Sequence, residues 1–382
     1  MKRTKVLHVL SELAWGGVPM RTLDLVRYVD SERFDVCVCT VAGVVDGFSR
    51  EIEAAGGRVV EIPYDLFRFG RRFAKLLREE RFDAVHSHLY YQSGNILRYA
   101  ARYRVPIRIA HFRTSNERPR TTWRRKLEGH LLRRWIRRYA TDILAVSEEA
   151  MAKAWCENWR DDPRCRVVYN GLDPQPFETP SDRDGVLAEF SMPASAFLCI
   201  HVGRMAAAKN HLRLIDIFAA VVRRRDDAYL LLVGFGNPGI EEAVRRRVNE
   251  LGLTERVRFC GMRKDVPRLL KVSDVMIFPS RWEGLPGVVL EACAAGVPVV
   301  ASDLQTVREI AQHLPGIEIV SLDDSDESWA SRIARPIGGR DAAYRSQTPV
   351  SRLRESVFGI ENYASTICSI WDGQQFATPA GG

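Results

Sequence analysis

Glu283 and Glu291 lie in the run Phe278-Pro279-Ser280-Arg281-Trp282-Glu283-Gly284-Leu285-Pro286-Gly287-Val288-Val289-Leu290-Glu291-Ala292. The run leaves a buried strand at Phe278, turns through a Gly/Pro loop and enters a helix near Pro286, a residue suited to a first helical turn. Loop amides and the first turn of a helix carry N–H groups without intrahelical partners, where an anionic or polar ligand docks. Gly284, Leu285, Pro286, Gly287 and Val288 make that turn. Glu291 follows about one and a half turns into the helix. A second cluster, Ile200-His201-Val202-Gly203-Arg204, continues through Lys209-Asn210-His211. A strand ends at Gly203, Arg204 follows it, and Lys209 stands near the start of the next helix. Two cations at a strand-to-helix turn can clamp a diphosphate, the guanidinium as a planar fork and the ammonium as a point charge. Gly16-Gly17, after the first strand, would let the backbone approach a ligand and open the helix Val18–Tyr28.

Other motifs carry less. Gly234-Phe235-Gly236-Asn237-Pro238-Gly239 fits the dinucleotide-binding spacing, but the next strand ends Val257-Arg258-Phe259-Cys260-Gly261 with no acid to hold a ribose. His86-x-His88 lacks an acidic or Cys partner at ligand spacing, so the two histidines are expected to line a cleft or cap a strand. No metal site is expected, and a nucleophile elbow and a P-loop are both missing.

Alternating apolar and amphipathic runs position these residues. Strand-like runs at Lys5–Leu10, Phe34–Thr40, Arg58–Ile62, Ala84–His86, Ile107–His111, Ile143–Val146 and Arg166–Tyr169 form one series. Phe197–Val202, Tyr229–Val233, Val257–Phe259, Val275–Phe278, Val299–Ala301 and Ile317–Val320 form another. Strands apolar throughout, with helices between, predict parallel sheets covered on both faces. The fold class is therefore α/β, with two doubly wound Rossmann-like domains and ligands at the carboxyl ends of the strands, in a deep cleft that the domains face. A Pro/Ser/Asp-rich seam sets the first expected boundary, between residues 1–178 and 179–355; the last boundary, before a terminal stretch 356–382, is one that the family resemblance given below implies. With 382 residues, 46% of them hydrophobic, the chain is long enough for two cores. It has no apolar run of membrane-spanning length. The opening Lys5–Leu10 run is too short for a signal-peptide core and reads as a strand.

Charge is uneven. Residues 1–170 hold 32 Lys/Arg against 21 Asp/Glu, whereas the remainder holds 24 against 27. Only the first half is thus expected to meet an anionic surface. Nine of its cations lie in 118–138 beside a single acid, Glu128, with Trp123, Leu127, Leu131 and Trp135 four residues apart and Leu132 and Ile136 beside them. This basic amphipathic helix either packs with its arginines facing water or lies on an anionic bilayer interface. No aromatic-basic module for nucleic acid accompanies it. The eight cysteines include no Cys-x-x-Cys pair and read as free thiols of a reducing compartment. The expected location is cytoplasmic, with this helix the candidate contact to the inner face of the cell membrane.

Taken together, the chain resembles a retaining glycosyltransferase of the family 4 type, with the two-domain GT-B fold. The resemblance rests on the Glu283/Glu291 spacing, Gly16-Gly17, Asp83-x-x-His86-x-His88, Ser147-Glu148, Val168-Tyr169-Asn170-Gly171-Leu172-Asp173, Gly203-Arg204 with Lys209, Ser273-Asp274, and Gly296-x-Pro298 through Asp303. Its tail is most similar to the subgroup that builds capsular or exopolysaccharides. The resemblance implies that the last helix, about Ile360–Trp371, crosses back to the N-terminal domain. It implies that Arg204 and Lys209 neutralise a departing diphosphate, Glu291 holds the ribose and Glu283 the donor sugar. Amides of Gly284, Leu285, Gly287 and Val288, with Gly203 and Pro286 shaping the turns, would contact the donor, and Gly16 and Gly17 would approach it from the other domain. His111 is similar to the family's active-site histidine. The expected reaction moves a hexose from a nucleotide diphosphate sugar, UDP favoured, to a glycan or lipid-linked glycan, without a metal or other cofactor. The alternatives are an epimerase or phosphorylase on the same fold and a non-catalytic nucleotide-sugar-binding assembly protein.

Overall fold

The computed structural model describes residues 2–13, 17–42, 48–65, 68–114, 122–335 and 348–374. The chain divides into two compact units, residues 1–171 with 360–382 (unit 1) and residues 172–359 (unit 2). The divisions fall at 171/172 and 359/360, where composition placed the first at 178/179 and the resemblance implied the second at 355/356. Backbone pairing sets them: Leu172 forms a parallel bridge with Gly359, and its N–H donates to the Phe358 carbonyl at 2.9 Å.

Unit 1 contains β1 (Thr4–Leu10), β2 (Phe34–Thr40), β3 (Arg58–Glu61), β4 (Ala84–Ser87), β5 (Ile107–Phe112), β6 (Asp142–Ala145) and β7 (Cys165–Val167). They form one sheet in the order β3-β2-β1-β4-β5-β6-β7. Unit 2 contains β8 (Phe197–Val202), β9 (Ala228–Val233), β10 (Val257–Gly261), β11 (Val275–Phe278), β12 (Val299–Ser302) and β13 (Ile317–Val320), in the order β10-β9-β8-β11-β12-β13. All the pairings are parallel. The apolar runs of both series are these strands. Central ones such as β11 and β12 are buried along their whole length, as helices on both faces of a parallel sheet require.

In each sheet the order reverses beside the first strand, between β1 and β4 and between β8 and β11. The amino ends of both central pairs are pinned in the same way. Asp83 Oδ2 accepts the Lys5 N–H at 2.9 Å, and Asp274 Oδ2 accepts the Leu198 N–H at 2.7 Å. The Asp83 and Ser273-Asp274 motifs therefore serve strand register. Ser147-Glu148 is a helix start: the Ser147 hydroxyl accepts the Ala150 N–H at 3.0 Å, and Glu148 adds an acid to the first turn.

The final helix, Ile360–Trp371, packs Ile360, Tyr363, Ile367 and Trp371 against Leu10, Phe34, Val38 and Ile109 of unit 1. The crossing back of the last helix is thus observed. Unit 2 has its own core, in which Leu230, Leu232 and Ile277 pack with Phe218 and Trp329. Among the described residues, no helix is long and apolar enough to cross a membrane. The eight cysteines are all free thiols.

Gly171 shows why the Asn-Gly-Leu-Asp stretch has its composition. A Cβ there would stand 2.7 Å from Tyr363 Cβ and 2.9 Å from Ile360 Cα, so only glycine lets the final helix seat. Gly171→Ala should therefore cost about 1–3 kcal/mol, as overpacking against backbone does. Urea denaturation checks this; an unchanged midpoint would show that the helix seats without the contact.

Candidate active site

The loops after β8 and β11 are neighbours at the carboxyl edge of the unit 2 sheet, where the strand order reverses and ligands bind in this architecture. Two hydrogen bonds lace them together. The Arg281 N–H donates to the Ala208 carbonyl at 2.7 Å, and Asn210 Nδ2 donates to the Pro279 carbonyl at 3.2 Å. Asn210 itself turns through the left-handed region (φ 55°) just before helix His211–Arg224. Lys209 and Glu283 meet across the lacing, with Nζ 2.7 Å from Oε1. Their side chains are 19% and 13% exposed, and the ammonium also lies 5.3 Å from the centre of the Phe278 ring. An ion pair this sheltered gains little net stability over an apolar pair, so stability alone does not account for its place at the sheet's ligand-binding edge.

Gly203 and Arg204 open the same loop. Arg204 is exposed and, among the described residues, forms no ion pair. Helix Gly287–Ala295 follows the second loop, and Pro286 offers it no side-chain cap. Val289, Leu290, Ala292, Cys293 and Ala294 are buried, whereas Gly287, Val288, Glu291 and Ala295 are half-buried. Gly287 and Glu291 are one turn apart on the outer face, and a Cβ at Gly287 would meet nothing within 4 Å. This glycine leaves open space in front of a helix N-terminus. Gly284 is half-buried, and Leu285 and Pro286 are buried.

The dinucleotide-like glycines have another task. A Cβ at Gly234 would lie 2.1 Å from the Gly203 carbonyl oxygen, and one at Gly236 would lie 2.7 Å from that of Met205. They let the β9 loop pair with the β8 loop. Asn237 Oδ1 then takes the Gly239 and Ile240 amides at 2.9 and 3.2 Å, so that helix caps itself.

In unit 1, His111 is buried on β5 in a group with His8, His86 and His88. Register explains the group: His8 pairs with His86 and His86 with Ile109, so side chains two residues apart share one sheet face. His86 Nε2 lies 3.0 Å from His111 Nδ1, and Trp371 Nε1 donates to His86 Nδ1 at 3.2 Å. Thr22 Oγ1, which donates to the Val18 carbonyl, lies 3.3 Å from His8 Nε2. Nitrogens of His8, His86 and His88 all lie within 4.8 Å of one another, the nearest approach to a cation-ligand set among the described residues. Both nitrogens of His86 are engaged, so a cation there would have to displace Trp371 or His111. His88 joins the group rather than capping a strand. Gly17 starts helix Gly17–Tyr28, with open space at its Cβ position; Gly16 lies outside the described residues.

The structure thus brings Lys209, Glu283 and the Gly284–Val288 turn together. Gly203 and Arg204 lie on the loop laced to that turn, and Glu291 on the helix it opens. Three features were not read from the sequence: the Lys209–Glu283 ion pair, the left-handed Asn210, and the bonding of His8, His86 and Trp371. A histidine inside the apolar run Val6-Leu7-His8-Val9-Leu10 was the available signal for the last.

Two Rossmann-like parallel-sheet domains with the final helix returning to the first define the GT-B class of fold. The chain belongs to the family 4 and group 1 glycosyltransferases: a model described as Glycosyltransferase Family 4 matches residues 15–176, and one described as Glycosyl transferases group 1 matches residues 196–337. It is 29% identical to EpsF of Bacillus subtilis over 87% of each chain. It is 28% identical to the capsular polysaccharide biosynthesis glycosyltransferase CapH of Staphylococcus aureus, over 87% of this chain and 90% of CapH. The crystal structure of Anabaena HepE with UDP-glucose superposes with a TM-score of 0.80 at 20% identity, covering 97% of this chain and 100% of that one.

Burial makes protonation of these histidines costly. It holds His8 down at about 3, with the Arg113 charge adding to it, and His211 at about 4, with Lys209 adding. Burial likewise keeps His86, His88, His111 and His201 well below the usual imidazole value. Unfolded, each would take a proton near pH 6.5. Below that pH the unfolded chain binds more protons than the folded one, so stability falls as pH falls, by up to about 1.4 kcal/mol per ring per pH unit. Denaturation at pH 7.5 and 5.5 should differ by several kcal/mol (roughly, by that slope). Equal stabilities would mean that the folded rings accept protons.

Proposed function

We propose that this glycosyltransferase transfers a hexose with retention from a nucleotide diphosphate sugar to a glycan or lipid-linked glycan in polysaccharide biosynthesis. The carrying observation is the laced pair of loops in unit 2, with Lys209 on Glu283 beside a helix start whose N-cap residue, Pro286, offers no side-chain cap. Arg204 and Lys209 neutralise the diphosphate as it departs. An ammonium has three N–H donors, so Lys209 can keep Glu283 and still reach a phosphate oxygen. Amides at Gly284, Leu285, Gly287 and Val288 supply further donors, Glu283 orients the sugar, and Glu291 accepts from the ribose hydroxyls. His111 donates to a substrate oxygen. UDP is the favoured nucleotide. Support comes from a 25% identical Escherichia coli relative, a UDP-Gal:alpha-D-GlcNAc-diphosphoundecaprenol alpha-1,3-galactosyltransferase, and from the UDP-glucose held by HepE.

In the reaction the bond from the anomeric carbon to the diphosphate breaks, and its electron pair stays on phosphate oxygen. The transition state is oxocarbenium-like. The acceptor oxygen bonds to the same face of the anomeric carbon and passes its proton to the leaving phosphate oxygen. Placed cations and amides stabilise the charge that builds there without a metal ion, as an oxyanion hole does. Single-turnover donor consumption should fall by about 10²–10³ in Lys209→Ala and in Arg204→Ala. Glu291→Ala should chiefly weaken donor binding. Rates within about threefold of wild type in all three variants would count decisively against the assignment.

Helix Trp123–Tyr139 docks on an anionic lipid surface. Its inner side buries Gly129, Leu132 and Ile136, while Trp123, Leu127 and Leu131 are 69%, 63% and 44% exposed. Exposed Arg124, Arg125, Lys126, Arg134, Arg137 and Arg138 accompany this outward stripe. Residues 118–121 of the basic segment lie outside the described residues. The paired change Arg124→Gln/Arg125→Gln should lower partitioning onto anionic vesicles by about 2 kcal/mol, roughly thirtyfold, at about 1 kcal/mol per charge. Equal co-sedimentation with neutral and anionic vesicles would rule the docking out.

A further inference from the structure

The ring hydrogen bonds beneath His111 have a forced direction. An indole nitrogen only donates, so Trp371 Nε1–H makes His86 Nδ1 an acceptor. A neutral imidazole carries one proton, which in His86 must then sit on Nε2, where it donates to His111 Nδ1 at 3.0 Å. With its Nδ1 accepting, neutral His111 carries its own proton on Nε2. That nitrogen is buried and has no partner in the protein. We propose that Trp371 and His86 are positioning residues that lock His111 as the Nε2–H tautomer, so that its unpartnered Nε2 serves a substrate oxygen as a donor and not as a base.

Neutrality is built into the surroundings. Burial of His86 and His111 disfavours their charged forms, and the neighbouring histidines and Arg113 add only positive potential. The same bonds leave His86 no lone pair for a cation, so the relay and a metal site at His86 are mutually exclusive. The final helix thereby gains a task beyond packing, because its last residue begins the relay. Trp371 and His111 are 260 positions apart in sequence, and only the return of that helix to unit 1 brings them onto one hydrogen-bonded chain. The inference rests on the assignment of His111 to the substrate made above.

The test uses the full-length protein with isotope-labelled histidine. NMR correlation of ring nitrogens with ring protons reads the tautomer of each imidazole, and wild-type His111 should be the pure Nε2–H form. Trp371→Phe keeps the ring and deletes the N–H, so His86 and His111 should become tautomer mixtures. Its kcat should fall by at least about tenfold, with donor KM little changed. His86→Gln, whose amide can accept from Trp371 and donate to His111, should keep the His111 tautomer and stay within about threefold of wild-type kcat. A mixed or Nδ1–H His111 in the wild type overturns the proposal, and that spectrum needs no variant to fold. So does a Trp371→Phe protein with an unaltered spectrum. Wild-type kcat in His111→Ala, with the expected wild-type spectrum, would instead overturn the substrate assignment and with it the relay's purpose.

Discussion

One carboxylate at the amino end of each central strand pair fixes what meets at the other end. Asp83 binds the second amide of its neighbour strand in unit 1, and Asp274 does the same in unit 2. Hydrogen bonds to a charged acceptor contribute about 1.5–3 kcal/mol each. Their larger consequence is register, since a slip of one residue would turn every side chain of a strand to the opposite face. With β1 and β4 in this register, His8 stands beside His86, and His86 is within reach of His111. With β8 and β11 held likewise, His201 Nδ1 donates to the Ile277 carbonyl at 2.8 Å. The loops beyond then present Lys209 to Glu283.

Strand order supplies the space above these pairs. Crossovers in parallel sheets are right-handed, so the helices that follow the first and fourth strands in this order go to opposite faces. The carboxyl edge where those two helices part is the place at which ligands bind in this architecture. In unit 2 that edge is polar and structured. Glycines at 234 and 236 let one loop lie on the next, Asn210 turns the chain where a helix must start, and Gly287 keeps the following helix start open. The one helix here that resembles a dinucleotide motif has already spent its amides on Asn237. The helix with the glutamate at its second turn has no such cap.

Most of the architecture was legible because buried parallel strands are written as continuous apolar runs such as Val275–Phe278. The fold also follows from the alternation of such runs with amphipathic helices. The loop residues that carry charge were legible by type and place: Arg204, Lys209 and Glu283 all sit just beyond a strand's carboxyl end. What escaped was pairing across sequence distance. Nothing near Lys209 says that its partner is Glu283, because that depends on β8 lying beside β11. The histidine group needed two strand registers at once, and its link to Trp371 needed the seat of the final helix as well. The division after Gly171 lies a few residues before the proline-rich seam, at a glycine packed against the start of the final helix.

The two units solve different electrostatic problems with the same scaffold. At the unit 2 loops, formal charges are kept near one another: an ammonium sheltered on a carboxylate, and an exposed guanidinium on the same loop. On the proposed function, an arriving diphosphate would meet cations already in place, so that little reorganisation would accompany the growth of charge on a leaving group. At the unit 1 strand ends the polar groups are uncharged imidazoles whose protons are directed by tryptophan and threonine. A neutral donor in a buried setting neither attracts a phosphate strongly nor titrates at physiological pH, but it discriminates oxygen positions by geometry. On the proposed function, such a donor suits the holding of a hydroxyl-bearing ring, whereas charge suits the release of a diphosphate.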